Sequence, residues 1–429
     1  MRTRKRWLTS LATWLAPPLL VMVAVLNLED GLTFATRGYW ETASAKASEA
    51  IAYIGIMVAL SATWEASRLR SSGMLAATAR HPFRVVAAAL VPTVVVGLAA
   101  TALSHGMLAA LAVGAPGGPS WRILAVNLLA LLGILAWGLF LGFVLPPKLS
   151  LAVCLASTYF WYLIIPAHWA FPLWLRYLSG GTLGAPSVWE VSDPRALLAA
   201  TLTALGLFSV GAVAVLARDR RRTLVVAALV LPLTLAGASM IVRPLDAFPM
   251  VDREGITCDD EPVDGLTLCL WPEFERDRAE IVPVIVDTHR TFTEFGLDLP
   301  TTVSAGRGTP EDALWLPLQP RTKAEETVPQ AFVTTLMPAA LPESCPPRRS
   351  PDLTLDTVHA WLLVTSGLVD VHELRPTLNT ETAAHLDRLV ELPPSAQGEW
   401  YQANRPVLGT CSADPATLDP AGFTPTEQR

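Results

Sequence analysis

Charged side chains are scarce in this sequence of 429 residues: 16% of it is Asp, Glu, Lys or Arg, and 52% is hydrophobic. Soluble globular domains average about 25% charged residues, so the composition excludes an ordinary soluble protein. The scarcity is uneven. Residues 1–243 hold 19 Lys/Arg and 8 Asp/Glu, and residues 244–429 hold 13 and 30, which gives net charges of +11 and −17. Two halves that differ so strongly are expected to face two solvents, a membrane and water.

Motifs of several enzyme classes are missing as well. The sequence contains no Gly-x-x-x-x-Gly-Lys-Ser/Thr phosphate loop, no His-Glu-x-x-His zinc motif and no Gly-x-Ser-x-Gly nucleophile elbow. Asp287, His289 and Glu294 fall on one predicted helix, but such a trio is typical of a solvated helix face. We therefore expect no catalytic residue, no metal, no cofactor and no enzymatic activity. A membrane-anchored hydrolase is disfavoured for the same reason.

What the sequence has instead is a series of long uncharged runs. A transmembrane helix needs about 20 mostly apolar residues to cross the bilayer core. Runs of that size, with one shorter candidate between Glu49 and Glu65, predict an α-helical integral membrane protein. About seven transmembrane helices are expected in residues 1–243, at 7–28, 47–66, 85–104, 123–144, 149–170, 196–217 and 223–243. The first run is too long for a typical secretory signal and lacks a cleavage site, so it is expected to be retained, with cleavage as the alternative.

The charge of the loops predicts the orientation. Lys and Arg are enriched in cytoplasmic loops. With the N-terminus in the cytoplasm, the inner segments contain 13 Lys/Arg and the outer loops and helix edges contain 6. The expected protein is therefore multi-pass in the plasma membrane, and an odd number of spans sends its C-terminal domain to the extracytoplasmic side.

The centres of the predicted spans carry no Asp, Glu, Lys or Arg. Ion-coupled pumps usually need a charge there, so the energy for any active transport is expected to come from outside this chain. Gly138 and Gly142 form a small-xxx-small pair in the fourth span. This pair indicates close helix packing within the subunit, with a dimer contact as the alternative.

The C-terminal domain, residues 244–411, is predicted to be helix-rich, with an α+β arrangement as the alternative. Helices are expected at about 272–295, 354–368 and 381–392. Short strands are alternatives at 281–286 and 332–336, and residues 412–429 are expected to form a disordered tail.

Four of the five cysteines fall in this domain, and Cys154 lies in the fifth span as an apolar packing residue. In an oxidising compartment, four cysteines indicate two disulfides with three possible pairings. Proximity in sequence favours Cys258 with Cys269, which leaves Cys345 with Cys411. Metal binding is the alternative, weakened by the lack of a Cys-x-x-Cys pair.

The segment between the second and third predicted spans is basic. It contains a predicted short amphipathic helix at about 73–79 and a proline just before the next span. These features fit an interfacial helix on the inner leaflet, and a plain basic loop that obeys the charge rule is the alternative. The residues of interest in this segment are Arg68, Arg70, Gly73, Arg80 and Arg84.

With its Glu-x-x-Arg, Ser-Gly-Met-Leu and His-Pro-Phe-Arg elements, the segment resembles the coupling loop of permease subunits of exporter-type ABC transporters. The stretch 258–273 also resembles a tail on actinobacterial membrane proteins of this kind, here with an added extracytoplasmic domain. The resemblance covers about residues 7–273. It implies that residues 67–84 dock on a separate ABC ATPase subunit, and that the permease forms a homodimer or pairs with a second permease. The residues expected to couple are Arg68, Arg70, Gly73, Arg80 and Arg84.

The sequence also departs from the six-helix plan of that family. The seventh span and the large outer domain are additions, and only six residues precede the first span. Two functions therefore stand side by side. One is an ABC export permease; the other is a non-transporting membrane protein whose outer domain binds or senses a ligand, or confers immunity to a peptide. Membrane lipid is a partner in both, and nucleic acid in neither.

Overall fold

A computed structural model describes residues 7, 9–31, 36–74, 81–167, 171–180, 184–217, 220–245, 248–308, 310–337, 353–408, 420 and 423. The chain divides into two units, Met1–Val251 and Asp252–Arg429.

The first unit consists mainly of long apolar helices. Apart from its two ends, a helix satisfies its backbone hydrogen bonds within itself, which hydrocarbon demands of a spanning segment. In chain order the helices are α1 (Leu11–Leu26) with a π-helical turn at Asn27–Gly31, α2 (Trp40–Glu49), α3 (Ile51–Ser71), α4 (Pro82–Ala112), α5 (Trp121–Val144), α6 (Pro147–Tyr159) with a π-helix at Phe160–Ile164 and a one-turn helix at Ile165–Ala167, α7 (Pro194–Leu216) and α8 (Arg220–Val242). A 3-10 helix, Leu173–Ser179, precedes strand β1 (Glu190–Ser192), which pairs with β2 (Met250–Asp252).

Six helical segments in the described part of the chain are long and apolar enough to cross a membrane: Leu11–Glu29, Pro82–Ala112, Trp121–Val144, Pro147–Ala167, Pro194–Leu216 and Arg220–Val242. They correspond to six of the seven predicted spans. The span predicted at 47–66 corresponds to α2 and α3, which pass the same test only as a pair bent by 41°. The described residues therefore contain six helices that could cross, or seven if the bent pair counts as one span.

Small residues pack α5 between α3 and α7. A Cβ atom on Gly142 would lie 2.6 Å from the Thr63 carbonyl oxygen of α3, and one on Gly133 would lie 2.8 Å from the Ala204 carbonyl oxygen of α7. Glycine allows the two backbones to approach this closely. The Thr63 hydroxyl also donates across the interface to the Gly138 carbonyl oxygen at 2.9 Å. The Gly138/Gly142 pair therefore packs within the subunit, as the sequence indicates.

The same contacts define the relative directions of the helices. From Gly138 to Gly142 along α5, the facing residues of α3 advance from Ala59 to Ala66. The two helices therefore run parallel.

Helix α7 is also parallel to α5, because Gly133 faces Ala204 and Ala136, further along α5, faces Gly211. As a result, α3, α5 and α7 end on the same side of the helix bundle, where α4, α6 and α8 begin. We call this side the basic end. Its described Lys and Arg residues are Arg68, Arg70, Arg84, Lys148, Arg220, Arg221 and Arg222.

The second unit contains a sheet of four strands in the order β3 (Thr257–Cys258), β4 (Thr267–Leu270), β5 (Thr302–Ser304) and β6 (Leu314–Trp315). β3 pairs antiparallel with β4, whereas the β4–β5 and β5–β6 pairs are parallel. Parallel neighbours require a crossover connection, and α9 (Arg278–Glu294) supplies it between β4 and β5. The second unit is therefore helix-rich, as predicted, and also contains this sheet.

Helices account for most of the remaining second unit: α10 (Ala324–Leu336), α11 (Leu353–Thr365), α12 (Thr380–Val390) and α13 (Pro394–Leu408). Their shared core is aromatic. Phe292 of α9 stacks on Phe332 of α10 with ring centroids 5.9 Å apart. Trp361 of α11 contacts Tyr401 of α13 at 5.3 Å, and both side chains are buried.

The structure corrects two of the predicted alternatives. Residues 281–286 and 332–336 are helical, in α9 and α10, rather than strands. The buried residues Ile281, Ile285 and Phe292 of α9 recur at helical spacing, which a short apolar run does not reveal. The helix predicted at 272–295 begins at Arg278, after a 3-10 turn at Pro272–Phe274. The predicted tail, apart from residues 420 and 423, lies outside the described residues.

Candidate functional site

The basic end carries the residues that the sequence singles out for coupling. Arg68, Arg70 and Gly73 lie at the end of α3, and Arg84 lies in the first turn of α4. Arg80 and most of the predicted short helix lie outside the described residues.

Arg68 is bound to an acidic residue of its own helix. Its Nη2 lies 2.6 Å from Oε2 of Glu65, whose side chain is 1% exposed. The i, i+3 spacing puts both side chains on one face of the helix. The Arg68 side chain is itself 43% exposed, so a buried carboxylate holds a guanidinium that stays accessible at the surface.

Arg70 binds the end of a neighbouring helix. Its Nη1 donates to the carbonyl oxygens of Phe143 at 3.1 Å and Leu145 at 2.8 Å. The last carbonyl groups of a helix have no partner within it and carry partial negative charge. Arg70 therefore stabilises the C-terminal end of α5 and ties it to α3.

Gly73 follows the C-terminal end of α3 with φ of +64°. A Cβ atom there would meet no heavy atom within 4 Å. The left-handed backbone conformation, rather than a lack of space, accounts for glycine at this position. Gly73 thus ends the helix and has no chemical group to offer a partner.

Arg84 differs from the other two arginines. It is exposed, and its side chain makes no ion pair or hydrogen bond with any described residue. A cation in this state is available to an acidic surface of a partner. Of the described arginines in the predicted coupling set, Arg84 is the one whose side chain makes no ion pair or hydrogen bond within the described part of the chain.

Lys148 and Arg220–Arg222 lie at the same end, at the starts of α6 and α8. The predicted coupling set does not include them. The loop charges alone point to the same side of a membrane, but the parallel packing of α3, α5 and α7 is what shows that these residues belong to one end of the bundle.

The trio in the second unit does not form a site. His289 is 9% exposed and its Nε2 lies 3.0 Å from the Pro300 carbonyl oxygen, while Asp287 is exposed and pairs with Arg290. Glu294 is exposed as well. Within the described ranges, no group of three or more His, Cys, Asp or Glu side chains is arranged to hold a metal.

One predicted disulfide is present in the second unit. Cys258 and Cys269 are bonded, and they face each other across the antiparallel β3–β4 pair. Cys345 and Cys411 lie outside the described residues, so their pairing stays a prediction. Cys154 is a free, buried cysteine.

Comparison with known proteins gives a family match in the second unit. A family model described as a domain of unknown function (DUF7224) matches residues 268–411. The matched region begins within β4 and leaves out the helices of the first unit. Searches of curated proteins and of solved structures give no match.

Proposed function

We propose that this chain is a membrane-spanning permease subunit of an ABC-type export system, coupled to a separate ATPase subunit through residues 67–84. The observation that carries the proposal is the basic end, where the exposed Arg68 and Arg84 flank the connection from α3 to α4. A concentration of positive charge favours the cytoplasmic side of a membrane. The N-terminus would then be cytoplasmic and the second unit extracytoplasmic in the plasma membrane.

That connection is also the longest at the basic end. Residues 72–81 join α3 to α4, whereas residues 145–146 join α5 to α6 and residues 217–219 join α7 to α8. A long connection offers the most chain for contact with a partner. The sequence has no phosphate loop of its own, so ATP hydrolysis would come from the other subunit. An ATPase that closes on this connection would shift α3 and α4, and the transport path would lie between paired permeases.

The test is co-expression with an ATPase encoded by a neighbouring gene, followed by capture in mild detergent and measurement of ATP hydrolysis in lipid. Arg84→Glu should reduce capture of the ATPase by about tenfold, because it reverses an interfacial charge. Arg122→Glu is the matched control. It reverses the charge of an exposed arginine at the start of α5, which is the opposite end of the bundle.

Co-purification of the ATPase with wild type and Arg122→Glu, but weakly with Arg84→Glu, would support coupling at the basic end. The permease proposal fails if no ATPase co-purifies, and the coupling surface is wrong if both variants retain full capture.

A second candidate function is favoured by the extent of the family match. Because the match covers residues 268–411 and none of the membrane helices, the second unit could carry the activity itself. In that case the chain is a non-transporting membrane protein whose extracytoplasmic domain binds or senses a ligand, or protects against a peptide. Deletion of the neighbouring ATPase gene separates the two, because it abolishes the function of a permease and leaves that of a sensor or immunity protein unchanged.

A further inference from the structure

Residues of α5, α6, α7, α8 and the π-helix Phe160–Ile164 line a half-open cavity of about 160 Å³. Ile134, Leu207 and Leu231 line it, and each lies near the middle of its helix. The cavity is therefore at mid-membrane depth if these helices cross the bilayer. Among the residues that the structure describes, no Asp, Glu, Lys, Arg or His lines it.

Tyr162 is one of the residues that line this cavity. Its side chain is 5% exposed, and the hydroxyl forms no hydrogen bond with any residue that the structure describes. The indole N–H of Trp161, another lining residue, likewise forms none within the described chain. Hydrocarbon offers no water to satisfy such donors, and an unsatisfied polar group there is costly.

The backbone at these two residues is unusual as well. Trp161 and Tyr162 lie in the π-helix Phe160–Ile164 that interrupts the helical course after α6. Single π-helical turns are rare and frequently occur at functional sites. Gly55 of α3 packs against the ring: a Cβ atom at that position would lie 3.6 Å from Cε2 of Tyr162 and 2.9 Å from Cδ1 of Ile134. The tyrosine ring is thus packed against α3.

The other hydroxyl groups that line the cavity use their hydrogens locally. Thr158 donates to the Cys154 carbonyl oxygen at 2.7 Å, and Thr203 and Thr234 donate to carbonyl oxygens one turn back in their own helices. The Trp137 indole donates to Ser157 at 3.1 Å. The hydrogen-bond donors that remain for a ligand are therefore the Tyr162 hydroxyl and, next to it in sequence, the Trp161 indole N–H.

We propose that this cavity binds an uncharged, membrane-dissolved ligand that inserts one ring-sized apolar group and places a carbonyl or ether oxygen against the Tyr162 hydroxyl. The size fits, because an apolar cavity of about 150 Å³ holds one benzene molecule. A charged ligand is disfavoured because its charge would find no opposite charge among the described lining residues. A phospholipid tail in the cavity would leave the Tyr162 hydroxyl unpaired, since at mid-membrane depth it has no oxygen to accept the hydrogen.

The experiment uses the full chain in phosphatidylcholine nanodiscs and a matched pair of photoreactive probes. One probe is 3-trifluoromethyl-3-phenyldiazirine, and the other is its para-acetyl derivative, which adds a carbonyl acceptor. Labelling is mapped by mass spectrometry as a function of probe concentration. Peptides that contain Trp161 and Tyr162 should be labelled saturably by the acetyl probe, and acetophenone should compete. Labelling at Leu233, a 74% exposed residue of α8, should rise linearly.

Variants separate the hydrogen bond from the cavity. Tyr162→Phe removes only the hydroxyl and should weaken the acetyl probe about fivefold while leaving the phenyl probe unchanged, as expected for loss of one hydrogen bond. Leu207→Phe should fill the cavity and abolish saturable labelling by both probes. Leu233→Phe enlarges a side chain outside the cavity and should keep the wild-type pattern.

Linear labelling at Trp161 and Tyr162, equal to that at Leu233, would overturn the proposal. So would equal affinity of wild type and Tyr162→Phe for the acetyl probe. Binding in nanodiscs needs no ATPase, so this result is independent of whether the chain couples to one.

Discussion

Arg70 binds the carbonyl oxygen of Leu145 with its Nη1 at 2.8 Å, across 75 residues of sequence. The same nitrogen binds the Phe143 carbonyl oxygen at 3.1 Å. An arginine in a basic loop is expected to contribute little to stability. Arg70 departs from that expectation because it donates hydrogen bonds to carbonyl groups at the end of α5 that have no partner within that helix. Substitution of Arg70 would therefore affect stability as well as coupling, so Arg84 is the better residue to substitute in a test of coupling.

Arg70→Gln should lower the free energy of unfolding by about 1 kcal/mol, because two helix-end carbonyl groups lose a charged donor. Thermal unfolding in detergent, followed by tryptophan fluorescence, measures the change. Arg84→Gln is the control and should stay within about 0.5 kcal/mol of wild type, as for most surface substitutions. Equal melting temperatures for the two variants would show that the Arg70 contacts do not stabilise the helix end.

Gly142→Leu should disrupt the α3–α5 interface. Gly142 faces the Thr63 carbonyl oxygen and the Ala66 Cβ, each 2.6 Å from where its own Cβ would lie. A side chain there forces the helices apart, and overpacking typically costs about 1–3 kcal/mol. We expect a lower melting temperature and a smaller monodisperse fraction in size-exclusion chromatography.

Gly106→Leu is the matched control for that substitution. Gly106 is exposed on α4, and a Cβ atom there would meet nothing within 4 Å. The same change of residue type should leave stability near wild type. Leucine favours a helix more than glycine does at both positions. If both variants unfold at the same temperature, the close approach at Gly142 does not limit stability.

The apolar runs are sufficient to predict most helices of the first unit. The length and hydropathy of runs such as 123–144 and 196–217 are enough to predict a transmembrane helix, because a bilayer requires both. The bend between Glu49 and Ile51 is different. It separates the more polar helix α2 from the apolar α3. The short uncharged run there indicates a marginal transmembrane segment but does not predict a bend.

The contacts within the candidate sites are harder to predict. The pairing of Arg70 with Leu145 depends on α3 and α5 running parallel, and nothing local to either residue encodes this. The strands of the second unit span only a few residues, such as Thr257–Cys258 and Thr302–Ser304. Segments that short show no usable alternation of apolar and polar residues, so the sheet is visible only in three dimensions.

Reporter fusions test the orientation at the two ends of the bundle. Fusions after residues 72 and 220, which lie at the basic end, should report the cytoplasm. Fusions after residues 115, 185 and 300 should report the extracytoplasmic side. An extracytoplasmic signal at residue 72 would mean that the bent pair of α2 and α3 does not cross the membrane.

Peptide mapping without reducing agent should find Cys258 linked to Cys269. The same map should find Cys345 linked to Cys411, a pair that lies outside the described residues. Each bridge should contribute about 2–4 kcal/mol to the stability of the second unit, so reduction should lower its unfolding temperature. Free thiols at all four positions would indicate a reducing compartment and a cytoplasmic second unit.

Tyr401 should titrate at unusually high pH. Its side chain is 1% exposed, and its hydroxyl donates to the Leu336 carbonyl oxygen. Burial raises the pKa of Tyr401 to about 12, even though the nearby positive charge of Arg405 acts to lower it. The ultraviolet absorbance of wild type minus that of Tyr401→Phe isolates this residue from the other tyrosines. The difference signal should have its midpoint near pH 12 rather than near the ordinary value of about 10.

The raised pKa of Tyr401 also determines how stability should change with pH. An unfolded tyrosine loses its proton near pH 10, whereas the folded Tyr401 keeps it to about pH 12. Between these values the folded state binds more protons, so stability falls as the pH rises. The contribution is complete below pH 10, and about 2–3 kcal/mol is lost by pH 12. Tyr401→Phe should lack this extra loss in denaturant unfolding measured at pH 9 and pH 11. Parallel losses in both proteins would show that other groups cause the alkaline destabilisation.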